Sequence, residues 1–200
     1  AYTITITDTS VAASALNTLD GKTSVAINAS NITTLTGTAA DINTTYAANG
    51  SSITGLGNEA ATLSDTSLAV SVLNDLDGNT SGTINAGSIN TLSGTAADLI
   101  TAYASSGISG LNDEAISVSS GTVTTAQANT LSAATSAVVT ATISDGDMAT
   151  LAGLNETGNA YSITITDTSV AASALNTLDG KTTVAINASN ITTLTGAAAD

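Results

Sequence analysis

The chain has 200 residues, of which Thr, Ala and Ser supply 99, while Phe, Trp, His, Cys, Pro and Arg are absent. Sixteen carboxylates face only Lys22 and Lys181, for a formal net charge of −14. These counts exclude a thiol nucleophile, an imidazole base, a soft-metal or haem site and a disulfide, and they leave nothing to neutralise nucleic acid or an anionic membrane.

The first predicted element is the extended run Thr3–Thr7 (TITIT), followed by Asp8-Thr9-Ser10. Val11, Ala12, Ala15, Leu16 and Leu19 then follow at helical spacing, which predicts a short amphipathic helix over 11–19. Asp8, Thr9 or Ser10 would be its N-cap, because a short oxygen side chain satisfies the free amides of a first helical turn. Asp20-Gly21 would end it, with Gly in the C-cap place. Residues 24–28 (SVAIN) alternate as a strand does, and Ala29-Ser30-Asn31 would cap a helical turn over Ile32–Leu35. Thr38 and Asp41 stand at capping-box spacing and open a further helix to Tyr46 or Ala47, and Asn49-Gly50 turns the chain toward Ile53.

This series repeats. Residues 1–41 return at 160–200 with three differences (Thr3/Ser162, Ser24/Thr183 and Thr38/Ala197), and Thr7–Ala47 matches Ser64–Ala104 at 26 of 41 positions. A degenerate third copy runs from about Ser120 to Gly153. The chain therefore divides into repeat units 1–52 and 53–107, a degenerate unit 108–159, and the start of the next long repeat at 160–200. It reads as an excerpt of a longer array, with no basic and apolar leader at its start. The longest uncharged stretch, Ala115–Ser144, is too rich in Ser, Thr, Asn and Gln to span a membrane.

With an apolar share of 42% the chain can bury surface, but only with small side chains. No unit this short buries its own apolar face, so stability must come from stacking on neighbours. The expected fold class is α/β: a repeat solenoid with a parallel β-sheet face, short helices and right-handed crossovers. The alternative is a right-handed parallel β-helix whose helical stretches are extended corners, with Thr and Asn ladders between coils.

Carboxylates are the candidate functional groups. Asp8, Asp65 and Asp167 sit in the repeated (T/S)DTS element, and Asp20, Asp77 and Asp179 in LDG. The densest oxygen clusters are Asp75, Asp77 and Asn79, and Asp145 with Asp147; calcium, which takes six to eight oxygens, is the ion they would bind. Against this, Asp at caps and Asp-Gly at turns is what short elements need without any ion. The EF-hand pattern and the glycine-rich nonapeptide of calcium β-rolls are absent. A glycosidase pair would be singular and lined by aromatics. Here the acids recur with the repeat, and so do the tyrosines: Tyr2 matches Tyr161, and Tyr46 matches Tyr103, as packing residues would. Catalysis is not expected, and no cofactor is required. Eight Asn-x-Ser/Thr sequons, among them Asn28 and Asn187, leave glycosylation open.

The runs ITITDTSVAASALNTLDGKT, SVAINAS and LTGTAADI resemble the repeat arrays of very large secreted surface proteins and adhesins of bacteria, particularly marine cyanobacteria. The resemblance implies a secreted, cell-surface or extracellular location, often with type I secretion and calcium. Two functions follow as expectations. The first is a structural segment of a rod, filament, sheath or surface layer, whose partners are further copies of itself. The second is a calcium-dependent adhesin stalk spacing a binding domain, with surface glycans as partners.

Overall fold

The computed structural model describes residues 4–197, so the expectations placed on Thr3 and Tyr2 fall outside it. In chain order the elements are β1 (Ile4–Thr5), β2 (Ser10–Ala12), α1 (Ala13–Asp20), β3 (Ile27–Asn28), β4 (Thr34–Gly37), α2 (Ala39–Ala47), β5 (Ile53–Thr54), β6 (Ala60–Leu63), β7 (Ser67–Ala69) and α3 (Val70–Asn79). They continue with β8 (Ile84–Asn85), β9 (Thr91–Thr95), α4 (Ala96–Ala104), β10 (Ile108–Ser109), β11 (Ala115–Ser120), α5 (Thr125–Ala134), β12 (Val139–Thr142) and α6 (Met148–Leu151). Last come β13 (Ala160–Ser162), β14 (Ser169–Ala171), α7 (Ala172–Asp179) and β15 (Thr193–Thr195). The fold is α/β with parallel sheets.

The chain forms two compact units: residues up to Asn90 with Thr101–Leu111, and Thr91–Ile100 with the chain from Asn112 onward. In the first unit, β1, β3 and β5 form one parallel sheet, with Ile4 facing Ile27 and Ile27 facing Ile53. The second sheet of that unit has the order β10-β8-β6-β4-β2, with Val11 facing Leu35 and Leu35 facing Ala61. In the second unit, β9, β11, β12 and β13 pair in sequence, and β14 pairs with β15.

Same-type apolar residues thus fall into rows. Leu16, Ile27, Leu35, Ile42, Ile53, Leu73, Leu76, Ile84, Leu92, Leu99 and Ile116 are all below 2% exposed. Each contributes on the order of 1.5–3 kcal/mol of transfer free energy. Small aliphatic side chains fill most of the core, with Tyr46 and Tyr161 buried beside them.

Polar side chains tie together segments far apart in the chain. Asn31 Nδ2 donates to Ile6 O across 25 residues and Asn17 Nδ2 to Asp41 O across 24. Thr33 Oγ1 donates to Thr9 O at 3.1 Å and Thr45 Oγ1 to Asn17 Oδ1 at 2.7 Å. Each bond joins groups 24 to 28 residues apart in the chain.

Several expected elements shift. Ile32–Leu35 is no helical turn: β4 starts at Thr34, because the amides of Thr33 and Thr34 both donate to Thr9 O and the β-branched run suits a pleated strand. The first helix starts at Ala13, since Ser10–Ala12 pair as a strand with Thr34–Thr36. Gly21 does follow that helix, but at φ −67°, so it acts there without left-handed geometry. The helix from Ala39 to Ala47 is as expected, with the Thr38 side chain accepting from Asp41 N. The stretch read as helical over 11–19 holds a helix from Ala13, and its repeat counterpart over 68–76 holds one from Val70, so neither is an extended corner.

Candidate functional site

Three aspartates bond to helix starts 19 to 26 residues earlier in the chain. Asp65 Oδ2 accepts from Ala39 N at 2.8 Å, Asp145 Oδ2 from Thr125 N at 2.7 Å, and Asp167 Oδ2 from Met148 N at 2.7 Å. Ala39, Thr125 and Met148 are the first residues of α2, α5 and α6. Each of these helices also has its own cap: Thr38 takes Asp41 N, Thr124 takes Gln127 N, and Asp147 takes Thr150 N. The acid from later in the chain therefore fills a second orphan amide, where the helix dipole favours negative charge.

This corrects the expectation that the (T/S)DTS acids cap their own helices. In α1, α3 and α7 the N-cap is Ala12, Ala69 or Ala171, with no side-chain cap. The intervening strands β2, β7 and β14 carry the acid away from the helix that follows it in sequence. Asp8, the first acid of the series, is exposed.

The oxygen clusters do not converge. Asp75 and Asp77 lie two residues apart on α3, which runs through Gly78 to Asn79, so the two carboxylates leave the helix in widely separated directions. Asp75 is exposed; Asp77 Oδ2 accepts from Ser105 Oγ at 2.7 Å; Asn79 Nδ2 donates to Asn43 Oδ1 at 3.0 Å. Asp145 and Asp147 each serve a different helix, as above. The Thr150 amide holds the Asp147 carboxyl below the usual carboxylate range. Among the described residues no three or more acidic side chains gather where they could share a metal ion.

Two acids the sequence did not single out lie deepest. Glu59 and Glu114 are both 0% exposed. Glu59 Oε2 accepts from Gly57 N at 2.8 Å, Asn58 N at 3.2 Å and Tyr46 Oη at 3.0 Å, while its Oε1 is buried without a partner. Glu114 Oε2 accepts from Asn112 N at 3.0 Å and Asp113 N at 3.3 Å. Each carboxylate folds back on the two amides before it, a small nest that offsets part of its desolvation. Burial, with Glu59 beside it, pushes the Tyr46 hydroxyl well above its usual pKa. Tyr161 is 1% exposed and burial raises its hydroxyl too, with Oη donating to Ala128 O at 3.4 Å. The local signal for these acids was a Glu placed directly before an apolar strand, in Asn58-Glu59-Ala60 and Asp113-Glu114-Ala115.

The second unit carries apolar surface. A groove of about 230 Å³ lies between α6 and α7, lined by Met148, Leu151, Ala174, Leu178 and the stem of Lys181. Shallower grooves of about 300 and 310 Å³ share Leu175 and Ala188, one reaching Ile191 and Leu194 and the other Ile186. Among the described residues no helix is long and apolar enough to cross a membrane. No family model, no curated protein and no solved structure matches the chain.

Proposed function

We propose that the chain is a structural segment of a repeat solenoid in a long extracellular or cell-surface protein of the secreted bacterial surface-array type, forming a rod, filament, sheath or surface layer. The carrying observation is that bonds between circuits repeat with the sequence. Asn31 donates to Ile6 O and its counterpart Asn190 to Ile165 O, both at 2.9 Å; Thr33 donates to Thr9 O and Thr192 to Thr168 O, both at 3.1 Å. A unit that reproduces its own joints is a unit that can be added without limit. The acidic surface keeps such an array soluble and apart from like-charged surfaces.

A chain of several long periods should appear in electron micrographs as stiff rods that lengthen in proportion to period number, with parallel strands advancing about 4.8 Å per circuit. Compact particles of constant aspect would refute the array. The competing reading, a calcium-dependent adhesin stalk, is separated by chelation. The Asp77, Asp145 and Asp147 carboxylates already accept protein N–H or O–H groups, which favours the structural reading. Melting temperature should accordingly be the same in EDTA and in excess calcium, and a rise with calcium would favour the stalk.

A further inference from the structure

We propose that Asn155, in the sequon Asn155-Glu156-Thr157, is an N-glycosylation site, with a sugar joined through its anomeric carbon to the side-chain nitrogen. The chain has eight such sequons, which the sequence alone does not rank. The fold ranks them.

Sugar transfer needs a free side-chain nitrogen, in a segment that can enter an enzyme cleft. Five sequons fail on the nitrogen. Asn31 Nδ2 donates to Ile6 O and Asn190 Nδ2 to Ile165 O, both at 2.9 Å. Asn43 Nδ2 donates to Val72 O and Asn79 Nδ2 to Asn43 Oδ1, both at 3.0 Å. Asn49 is held at both side-chain atoms, with Nδ2 donating to Leu56 O at 3.0 Å and Oδ1 accepting from Leu56 N at 3.3 Å. Two more sequons fail on the backbone. Asn28 and its repeat counterpart Asn187 are paired into sheets, where Ile6 N donates to Asn28 O and Ile165 N to Asn187 O, both at 2.9 Å. Their Oδ1 atoms also accept from Ser30 N at 3.1 Å and Ser189 N at 3.2 Å, each the third residue of its own sequon.

Asn155 differs on every count. It is exposed, and neither its side chain nor the Thr157 hydroxyl bonds to any of the described residues. It lies in the loop 152–158 between α6 and β13, where every residue but the anchoring Leu154 is exposed. Its backbone is held from both sides: Asn155 N donates to Asn129 Oδ1 at 3.0 Å, and Lys181 Nζ donates to Asn155 O at 2.9 Å. These partners lie 26 residues before and 26 residues after it, so the exposure of the side chain belongs to the loop itself. The reaction is a substitution at the sugar. The bond from Asn155 Nδ2 to the anomeric carbon forms as the bond from that carbon to the donor's diphosphate breaks. The nitrogen gives up one proton, and the nucleoside diphosphate leaves. Selection by the fold requires a folded acceptor, so the donor is a soluble nucleoside diphosphate sugar. The attached sugar displaces no hydrogen bond of the fold.

The test incubates the purified, folded chain with UDP-glucose and a soluble N-glucosyltransferase that recognises Asn-x-Ser/Thr. Electron-transfer fragmentation, which keeps the sugar on its residue, then reads the sites. The expected result is one hexose on Asn155, none on the other seven sequons, and an unchanged melting temperature. Asn155→Gln and Thr157→Ala should each abolish transfer, while Thr157→Ser, which keeps the sequon hydroxyl, should retain it. Both positions are exposed, so these variants keep the fold, as circular dichroism would verify. A folded chain that takes no sugar overturns the proposal. So does one that takes it on Asn31, Asn43, Asn187 or any other sequon as readily as on Asn155. Neither result bears on the array, which rests on bonds elsewhere in the chain.

Discussion

Asp65 accepts a 2.8 Å hydrogen bond from the amide of Ala39, the first residue of a helix and 26 residues earlier in the chain. The acid is separated from its own helix, α3, by the strand Ser67–Ala69. Charge, helix dipole and stacking meet in this one bond.

Replacing Asp65 by Ala should destabilise the chain by about 1–2 kcal/mol, the usual range for a cap bonded to a free helical amide. Asp8→Ala, at the same repeat position but exposed, should stay within about 0.5 kcal/mol. Urea titrations followed by circular dichroism compare the two. Equal losses would mean that the bond between circuits contributes nothing.

Tyr46 and Glu59 set an alkaline limit. The Tyr46 hydroxyl is raised in the folded chain, chiefly by burial, so folding favours its protonated form. That stability is fully present below the unfolded value of about 10 and is lost as pH climbs beyond it. Tyr46→Phe should flatten the alkaline decline in melting temperature, and adding Tyr161→Phe should flatten it further. Glu59→Ala, which strands the Gly57 and Asn58 amides and the Tyr46 hydroxyl, should cost about 2–4 kcal/mol near neutral pH. An unchanged alkaline profile in the double Tyr variant would show that the hydroxyls are not responsible.

Gly55 and Gly110 both adopt left-handed φ, +88° and +84°, against the backbone of Ser30 and Gly87. A Cβ there would meet Ser30 backbone at 3.0 Å and Gly87 N at 2.8 Å. Gly50, at φ +82°, has open space around it. Gly50→Ala should therefore cost only the conformational term, about 1–2 kcal/mol. Gly55→Ala and Gly110→Ala should each add about 1–3 kcal/mol from pushing the Ser30 and Gly87 backbone away. Thermal unfolding of the three variants ranks them directly.

Leu35 and Leu194 are the same residue of the repeated block, 0% and 59% exposed. Leu35→Ala should cost about 2–5 kcal/mol through lost burial and the cavity left behind. Leu194→Ala should fall within about 0.5 kcal/mol. Comparable losses at the two positions would require the Leu194 face to be covered.

Much of this chain was legible in its residues because much of its structure is local. The Thr38–Asp41 cap and its helix follow from interactions within four residues, and spacing encodes those. The alternation around Ile27 likewise marks a real strand. The Ile32–Leu35 stretch was misread because its helical and extended patterns are equally short, and the Thr9 carbonyl that decides between them lies 24 residues away. Nearness in sequence likewise does not make Asp75 and Asp77 neighbours, because they lie on one helix where two residues of separation turn them apart.

By itself the sequence determined the materials and the period: small aliphatics for a core without Phe or Trp, hydroxyl and amide side chains for bonds between circuits, and a 41-residue block that occurs twice. Only the tertiary structure decided which helix each aspartate serves, that Glu59 and Glu114 lie buried on their own amides, and which Leu of an identical pair is covered. Those outcomes depend on which strand lies against which, 20 or so residues away, and residues alike in sequence meet different neighbours at the two places where the block occurs.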